Sequence, residues 1–311
     1  MRYRKSVLKI AYFGLPLGAL LLAADGHDLG LVVLSPVDAP GRFRLLGRRP
    51  DTIDASSAGA ELEPRVDAAL AAEPFDLLVS WFWTRKLPQR WLSRPRWGGL
   101  GVHPSLLPRH RGPNPYFWSI DSGDQTTGVT LHRLTEEYDT GEVLASRSLA
   151  IGQRDAWQLA RALDRPSLAL LRETLSRLAR GDAVPPAVQD ESLASWAPEP
   201  SGDALRVDFG WATERILRRI RALSPTPGLA LEVDGVPLFV TRAEPAERFI
   251  EALLPGEAHV SGDSLTLRTG DGAIRVTRAT FPHRDQHEEG EDAEATSAAE
   301  VLTLMKRAER A

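Results

Sequence analysis

The chain has 311 residues, 42% hydrophobic and 26% charged, enough to build a larger and a smaller folded domain. A net charge of -4 and a pI near 6.0 exclude a global attraction to nucleic acid, so any RNA contact has to come from a local basic patch. The absence of cysteine excludes disulfides, thiolate metal sites and a cysteine nucleophile, and fits a reducing, cytoplasmic setting.

Arg2, Arg4 and Lys5 precede an apolar stretch over 7–24 that has the outline of a secretion signal. Lys9 interrupts it, and Gly14 and Pro16 place a turn in its middle, so it reads as strand, turn and helix. No stretch has the roughly 18 to 20 uninterrupted apolar residues of a membrane span. The first half then alternates: a strand over 7–13, a helix over 17–24, a strand over 29–34, a basic loop, a helix over 62–72, a strand over 75–83 and a later one over 129–134. Strands separated by helices pair in parallel, which predicts an α/β fold: an open, mainly parallel, Rossmann-like sheet with helices on both faces. Ligands of such sheets sit at the carboxyl ends of the strands. Gly14 and Gly18 lie where a dinucleotide fingerprint would, but the three-glycine spacing is missing, so a tight turn with close helix packing is expected.

A long helical pattern begins at Asp155, with leucines at 159, 163, 170, 171, 175 and 178; Pro166 is expected to kink or split it and Gly181 to end it. Pro185, Pro186, Pro198 and Pro200 mark a linker. Beyond it come a helix over 212–223 and short strands over 229–233, 236–240, 258–260, 265–268 and 274–277, separated by Asp-Gly and Gly-Asp turns. That pattern suggests a small OB-like barrel. A helix over 298–307 closes the chain. His283 and His287 have a spacing a metal could use, but with the acidic run 288–294 they read as a solvated loop, and no metal site is expected.

The densest chemistry lies in Gly101-Val102-His103-Pro104-Ser105-Leu106-Leu107-Pro108-Arg109-His110-Arg111-Gly112-Pro113-Asn114-Pro115. Its prolines exclude regular helix or central strand, so a rigid loop holds His103 just after an apolar strand, a favourable place for an acid/base residue. A His-Pro pair on its own would be only a turn.

The whole string resembles the HPSLLPxYRG signature of formyltransferases that use 10-formyltetrahydrofolate, as found in the methionyl-tRNA formyltransferase family. Pro115-Tyr116-Phe117-Trp118, Gly123, Thr127-Gly128-Val129-Thr130-Leu131-His132-Arg133 and Asp139-Thr140-Gly141 follow in that family's order. Gln189-Asp190 with Ser195-Trp196, then Pro225-Thr226-Pro227-Gly228 and Gly270-Asp271-Gly272, resemble its linker and carboxyl-terminal barrel. The resemblance implies a catalytic domain over 1–182, a linker over 183–203 and a barrel domain over 204–311.

It also implies roles. His103 would stabilise the tetrahedral intermediate and move protons, and Asp139 would hold it, favour its cationic form and help take the proton of the amine. The family has an asparagine two residues before the histidine; this chain has Gly101. Asn114 could return an amide to the same oxygen, the glycine could admit a water or a modified donor, or the chain could be a relative that binds without transferring. His110 replaces the usual tyrosine, and His132 reads as a packed or hydrogen-bonded histidine.

Ser80, Trp81, Phe82 and Trp83, with Ser105, Leu106, Leu107 and Pro108, would wall the folate, although these aromatics read equally well as core. Arg42, Arg44, Arg48 and Arg49 would meet the acceptor arm of a tRNA, or form a solvated basic loop. Arg215, Arg218, Arg219 and Arg221 add a second basic patch. The implied activity is formyl transfer to the methionyl amine of initiator tRNA by a cytoplasmic monomer that touches no membrane. The alternatives are a small amine such as a nucleotide-linked amino sugar as acceptor, and a folate or RNA binder without transfer.

Overall fold

Half-buried Lys9 starts an otherwise fully buried strand, β1 (Lys9–Gly14), and Pro16 opens helix α1 (Pro16–Ala24) where its missing N–H is not needed. The amino-terminal apolar stretch is thus strand, turn and helix. Gly14 lies against the Trp81 carbonyl and Gly18 against the Tyr12 hydroxyl, and a Cβ at either position would collide. Close helix packing accounts for both glycines.

The computed structural model describes residues 7–261, 264–281 and 293–308. Contacts divide the chain into two units. One holds the described residues up to Pro115, Thr127–Leu149 and Ala162–Ala197; the other holds Tyr116–Thr126, Ala150–Arg161 and the described residues from Pro198 onward.

After α1 come β2 (Asp28–Leu34), α2 (Arg42–Arg48), β3 (Ile53–Asp54), α3 (Leu62–Ala72), β4 (Leu77–Trp81), α4 (Gln89–Leu92) and β5 (Gly99–His103). Then follow α5 (Pro115–Asp121), β6 (Thr126–Arg133), β7 (Val143–Ala150) and α6 (Ala156–Ala179). The seven strands form one sheet in the order β3-β2-β1-β4-β5-β6-β7. It is parallel from β3 through β5, and β6 runs antiparallel to β5. On one face Phe13, Val33 and Leu78 pack with Val66, Leu70 and Trp91 of α3 and α4. Each such side chain contributes about 1.5 to 3 kcal/mol of burial.

Two expectations are corrected. Residues 42–48 are a helix where a loop is predicted, because buried Arg42 pins α2: it pairs with Asp54 and donates to the carbonyls of Ser35 and Val37 at 2.6 and 2.7 Å. Helix α6 is not split and runs through Pro166 to Ala179. Ser167 donates to the Asp164 carbonyl at 2.7 Å and accepts from the Trp81 indole at 2.9 Å, fixing the turn that the proline weakens.

In the second unit α7 (Thr213–Ala222) leads into β8 (Leu229–Val233), β9 (Val236–Pro245), β10 (Ala258–Ser261), β11 (Ser264–Arg268), β12 (Ala273–Phe281) and β13 (Ala293–Ala295), and α8 (Ala298–Ala308) follows. These strands form a six-stranded sheet in the order β10-β11-β12-β9-β8, with β13 also on β12. Register shifts between Val276 and Ala279 bend β12, and the antiparallel sheet curls into a half-barrel. Buried Asp121 receives both Arg215 and Arg219 of α7, the latter at 2.6 Å. His283, His287 and most of the acidic run 288–294 lie outside the described residues.

Candidate active site

The last residue of β5 is His103, so the parallel sheet delivers its imidazole at the carboxyl end of a central strand. The ring is buried, with Nδ1 3.3 Å from Asp139 Oδ2 and Nε2 2.7 Å from the His110 carbonyl oxygen. An oxygen acceptor thus faces each ring nitrogen. Asp139 and His110 both lie in the left-handed region, at φ 58° and 59°. Non-glycine residues there cost on the order of 1 kcal/mol each and persist only where the surroundings hold them.

Those surroundings are a strap formed by residues 189–197. Gln189 donates to the carbonyls of Asp139 and Gly141, each at 2.7 Å, and its own carbonyl accepts from Arg111 at 2.8 and 3.1 Å. Arg111 also grips Glu191 at 2.7 Å. Farther along, Arg111 and Ala197 bond through their backbones, the His110 N–H donates to the Ser195 hydroxyl at 2.9 Å, and the Gly112 N–H donates to Asp139 Oδ2 at 2.9 Å. The loop, the strap and the Asp139 turn therefore form one connected hydrogen-bond network.

The other Asp139 oxygen, Oδ1, faces His132 Nε2 at 3.5 Å. Burial pushes the His132 imidazole down to about 4, with His103 and Arg111 adding to the depression and Asp139 opposing it, so the ring is neutral near pH 7. Gly101 pairs with His132 across the strands. A Cβ at residue 101 would stand 2.6 Å from Leu134 Cδ2 and 3.5 Å from His132 Nε2. Leu134 thus closes the space that a longer side chain at 101 would need.

The remaining sequence-selected residues separate by burial. Trp81 is buried with its indole N–H on Ser167, and Ser105 is buried with its hydroxyl donating to the Arg109 carbonyl at 2.6 Å. Ser80, Phe82, Trp83, Leu106, Leu107 and Pro108 are half-buried and keep surface to offer. Trp83 packs edge-on against Phe13, and its buried indole N–H has no partner among the described residues. Asn114 is half-buried and its backbone N–H donates to the Ala197 carbonyl at 3.0 Å. Arg42 is engaged internally and Arg49 pairs with Asp51 at 3.2 Å, whereas Arg44 and Arg48 are exposed beside Phe43, itself 86% exposed. Among the described residues no group of three or more His, Asp or Glu is set to hold a metal ion, and no helix is long and apolar enough to cross a membrane.

Residues 35–170 match the formyl transferase family model and residues 202–289 match that of the formyl transferase carboxyl-terminal domain. The methionyl-tRNA formyltransferase of Rhizorhabdus wittichii is 35% identical over 282 residues, covering 87% of this chain and 90% of the relative. The chain belongs to the methionyl-tRNA formyltransferase family. The enzyme of the same name from Bacillus licheniformis is 32% identical over 286 residues, covering 86% and 89% of the two chains. Among solved structures, HypX from Aquifex aeolicus aligns at a TM-score of 0.66 and 25% identity over 97% of this formyltransferase, which spans 48% of HypX. An N-formyltransferase from Helicobacter canadensis, solved with folinic acid and dTDP-3-aminofucose, shares the fold at 16% identity, with a TM-score of 0.64 over 87% of this chain and 99% of its own.

Sequence reasoning named His103 and Asp139, which the fold brings together, read His132 as a packed or hydrogen-bonded histidine, which it is, and treated Gln189 as a linker marker. The Gln-Asp pair before a Ser-Trp was the available signal for the strap. Only the folded chain reveals that it reaches back more than forty residues to the Asp139 turn.

Proposed function

We propose that this formyltransferase carries the formyl group of 10-formyltetrahydrofolate to the methionyl amine of initiator tRNA. In this reading residues 1–182 carry the chemistry, and 204–311, joined through 183–203, help to hold the RNA. The supporting observation is the buried His103 and Asp139 pair at the carboxyl end of β5, in a chain similar over most of its length to methionyl-tRNA formyltransferases.

The amine attacks the formyl carbon, a C–N bond forms and negative charge grows on the carbonyl oxygen. His103 stands beside that oxygen to stabilise it. Asp139 takes a proton from the amine and returns it to N10 of the folate as the old C–N bond breaks, leaving a formamide and tetrahydrofolate. The half-buried surfaces of Phe82, Trp83, Leu106, Leu107 and Pro108 fit a flat pterin, and the unpartnered Trp83 N–H can donate to one of its heteroatoms. Asn114 is the amide in this loop that can answer for the asparagine absent at 101.

For the RNA, exposed Arg44, Arg48 and Phe43 on α2 offer charge and a stacking surface. On α7, Arg215 and Arg219 are engaged by Asp121. Arg218 and Arg221 retain buried Nε atoms without partners among the described residues, and burial and the neighbouring Arg218 lower the Arg221 guanidinium.

Incubation with 10-formyltetrahydrofolate and either Met-tRNA or a nucleotide-linked amino sugar tests the reading. Transfer to Met-tRNA that falls by about 10²-fold or more in His103→Ala supports it. Transfer to the amino sugar alone overturns the acceptor, and no transfer by the native chain overturns the activity.

A further inference from the structure

Asp139 lies between two histidines, and they meet different oxygens. Oδ2 takes His103 Nδ1 at 3.3 Å and the Gly112 N–H at 2.9 Å, which leaves Oδ1 as the oxygen with lone pairs to spare. Oδ1 faces His132 Nε2 at 3.5 Å. The protonation of that nitrogen follows from the other side of the ring. His132 Nδ1 lies 2.8 Å from the Arg133 carbonyl oxygen, which can only accept, so Nδ1 carries the hydrogen and the neutral ring keeps its lone pair on Nε2.

An ionised Asp139 therefore presents one lone pair to another at 3.5 Å, a distance too long for a hydrogen bond and short enough to become one when a proton arrives. From this the geometry points to His132 as a positioning residue of the formyl transfer: it holds the proton that Asp139 Oδ1 takes from the amine, through an Oδ1–H donated to Nε2, until that proton passes to N10 of the departing folate.

No proton is gained or lost over the cycle. The amine N–H breaks as Oδ1–H forms, and Oδ1–H breaks as N10–H forms. The bond to His132 stabilises the transient Oδ1–H and turns it away from His103, which stays beside the oxyanion. The charged and titratable groups facing His132 are Asp139, His103 and Arg111; the last two oppose a charge on its ring, and burial does the same. Gly101 lies opposite His132 on β5, and a Cβ there would stand in ordinary contact with Nε2, at 3.5 Å.

The inference rests on the formyl-transfer reading, and two measurements separate its failure from that reading's. The first needs no acceptor: the ¹⁵N shifts of His132 between about pH 5 and 8. A protonated Nδ1 with a bare Nε2 is expected, and a protonated Nε2 overturns the proposal whatever the activity. The second is the pH profile of kcat for His132→Met, which keeps bulk without the nitrogen lone pair, and for His132→Gln, which keeps an acceptor. In the Met variant kcat should fall about 10-fold with KM within about 2-fold and the acid limb should move to lower pH, and the Gln variant should recover part of both. An unshifted limb, or a Gln variant no better than the Met variant, overturns it.

Discussion

A side chain returned to position 101 meets Leu134 first, at 2.6 Å from its Cδ2, and Leu134 packs on the core shared with α3 and α4. Gly101→Asn alone should therefore lower the unfolding free energy by about 1 to 3 kcal/mol, as overpacking does, and gain little activity. Adding Leu134→Ala opens the space; if an amide at 101 supplies an oxyanion donor, turnover of the double variant should exceed that of Leu134→Ala by up to about 10²-fold. Stability and steady-state rates of the three variants check both claims. His132 gives a second residue-level prediction. Its folded pKa, about 4, lies below the unfolded value near 6.5, so the unfolded chain binds the extra proton between those limits. Stability should be unaffected by this group above about pH 6.5 and should fall by up to ~1.4 kcal/mol per pH unit as the pH drops toward 4. Urea midpoints across that window should decline in the native chain and decline less in His132→Met.

At the scale of elements, the strap decides whether Asp139 keeps its left-handed backbone. Gln189→Ala removes two donors from the Asp139 turn and the acceptor beneath Arg111, leaving buried groups unpaired at about 1 to 3 kcal/mol each. The expected result is a lower unfolding midpoint together with a fall in kcat that exceeds any rise in KM. Unchanged kcat would show that the turn holds without the strap. Element-level reading of the sequence succeeded where periodicity was strong, in the strands and helices beside the first core and in the short strands of the second unit. It failed at α2, because the helix depends on Arg42 reaching Asp54, a pairing that no local pattern records. Strand β7 also escaped notice, since residues of its middle are exposed and polar. Trp81 and Ser105, read with the folate walls, are buried in the fold. Neighbouring residues of a strand point to opposite faces, and in β4 Trp81 turns into the interior while Ser80 keeps surface.

Over the whole molecule, the family's motif was legible because proline, glycine, histidine and arginine at fixed spacing survive as a string. The surface proposed to meet RNA was not, because arginine serves structure and phosphate binding alike. Burial separates the two uses: Arg42, Arg215 and Arg219 are tied to carboxylates, whereas Arg44 and Arg48 face solvent. Replacing Arg44 and Arg48 with alanine should raise KM for Met-tRNA, reduce the salt slope of tRNA binding by about one for each phosphate no longer neutralised, and leave kcat within about 2-fold. The central claim, that this chain formylates Met-tRNA through His103 and Asp139, is tested most directly by single-turnover transfer from 10-formyltetrahydrofolate to Met-tRNA in the native chain, His103→Ala and Asp139→Asn. The predicted result is formyl-methionyl-tRNA from the native chain and a loss of about 10²-fold or more in each variant. Equal rates in all three would contradict it.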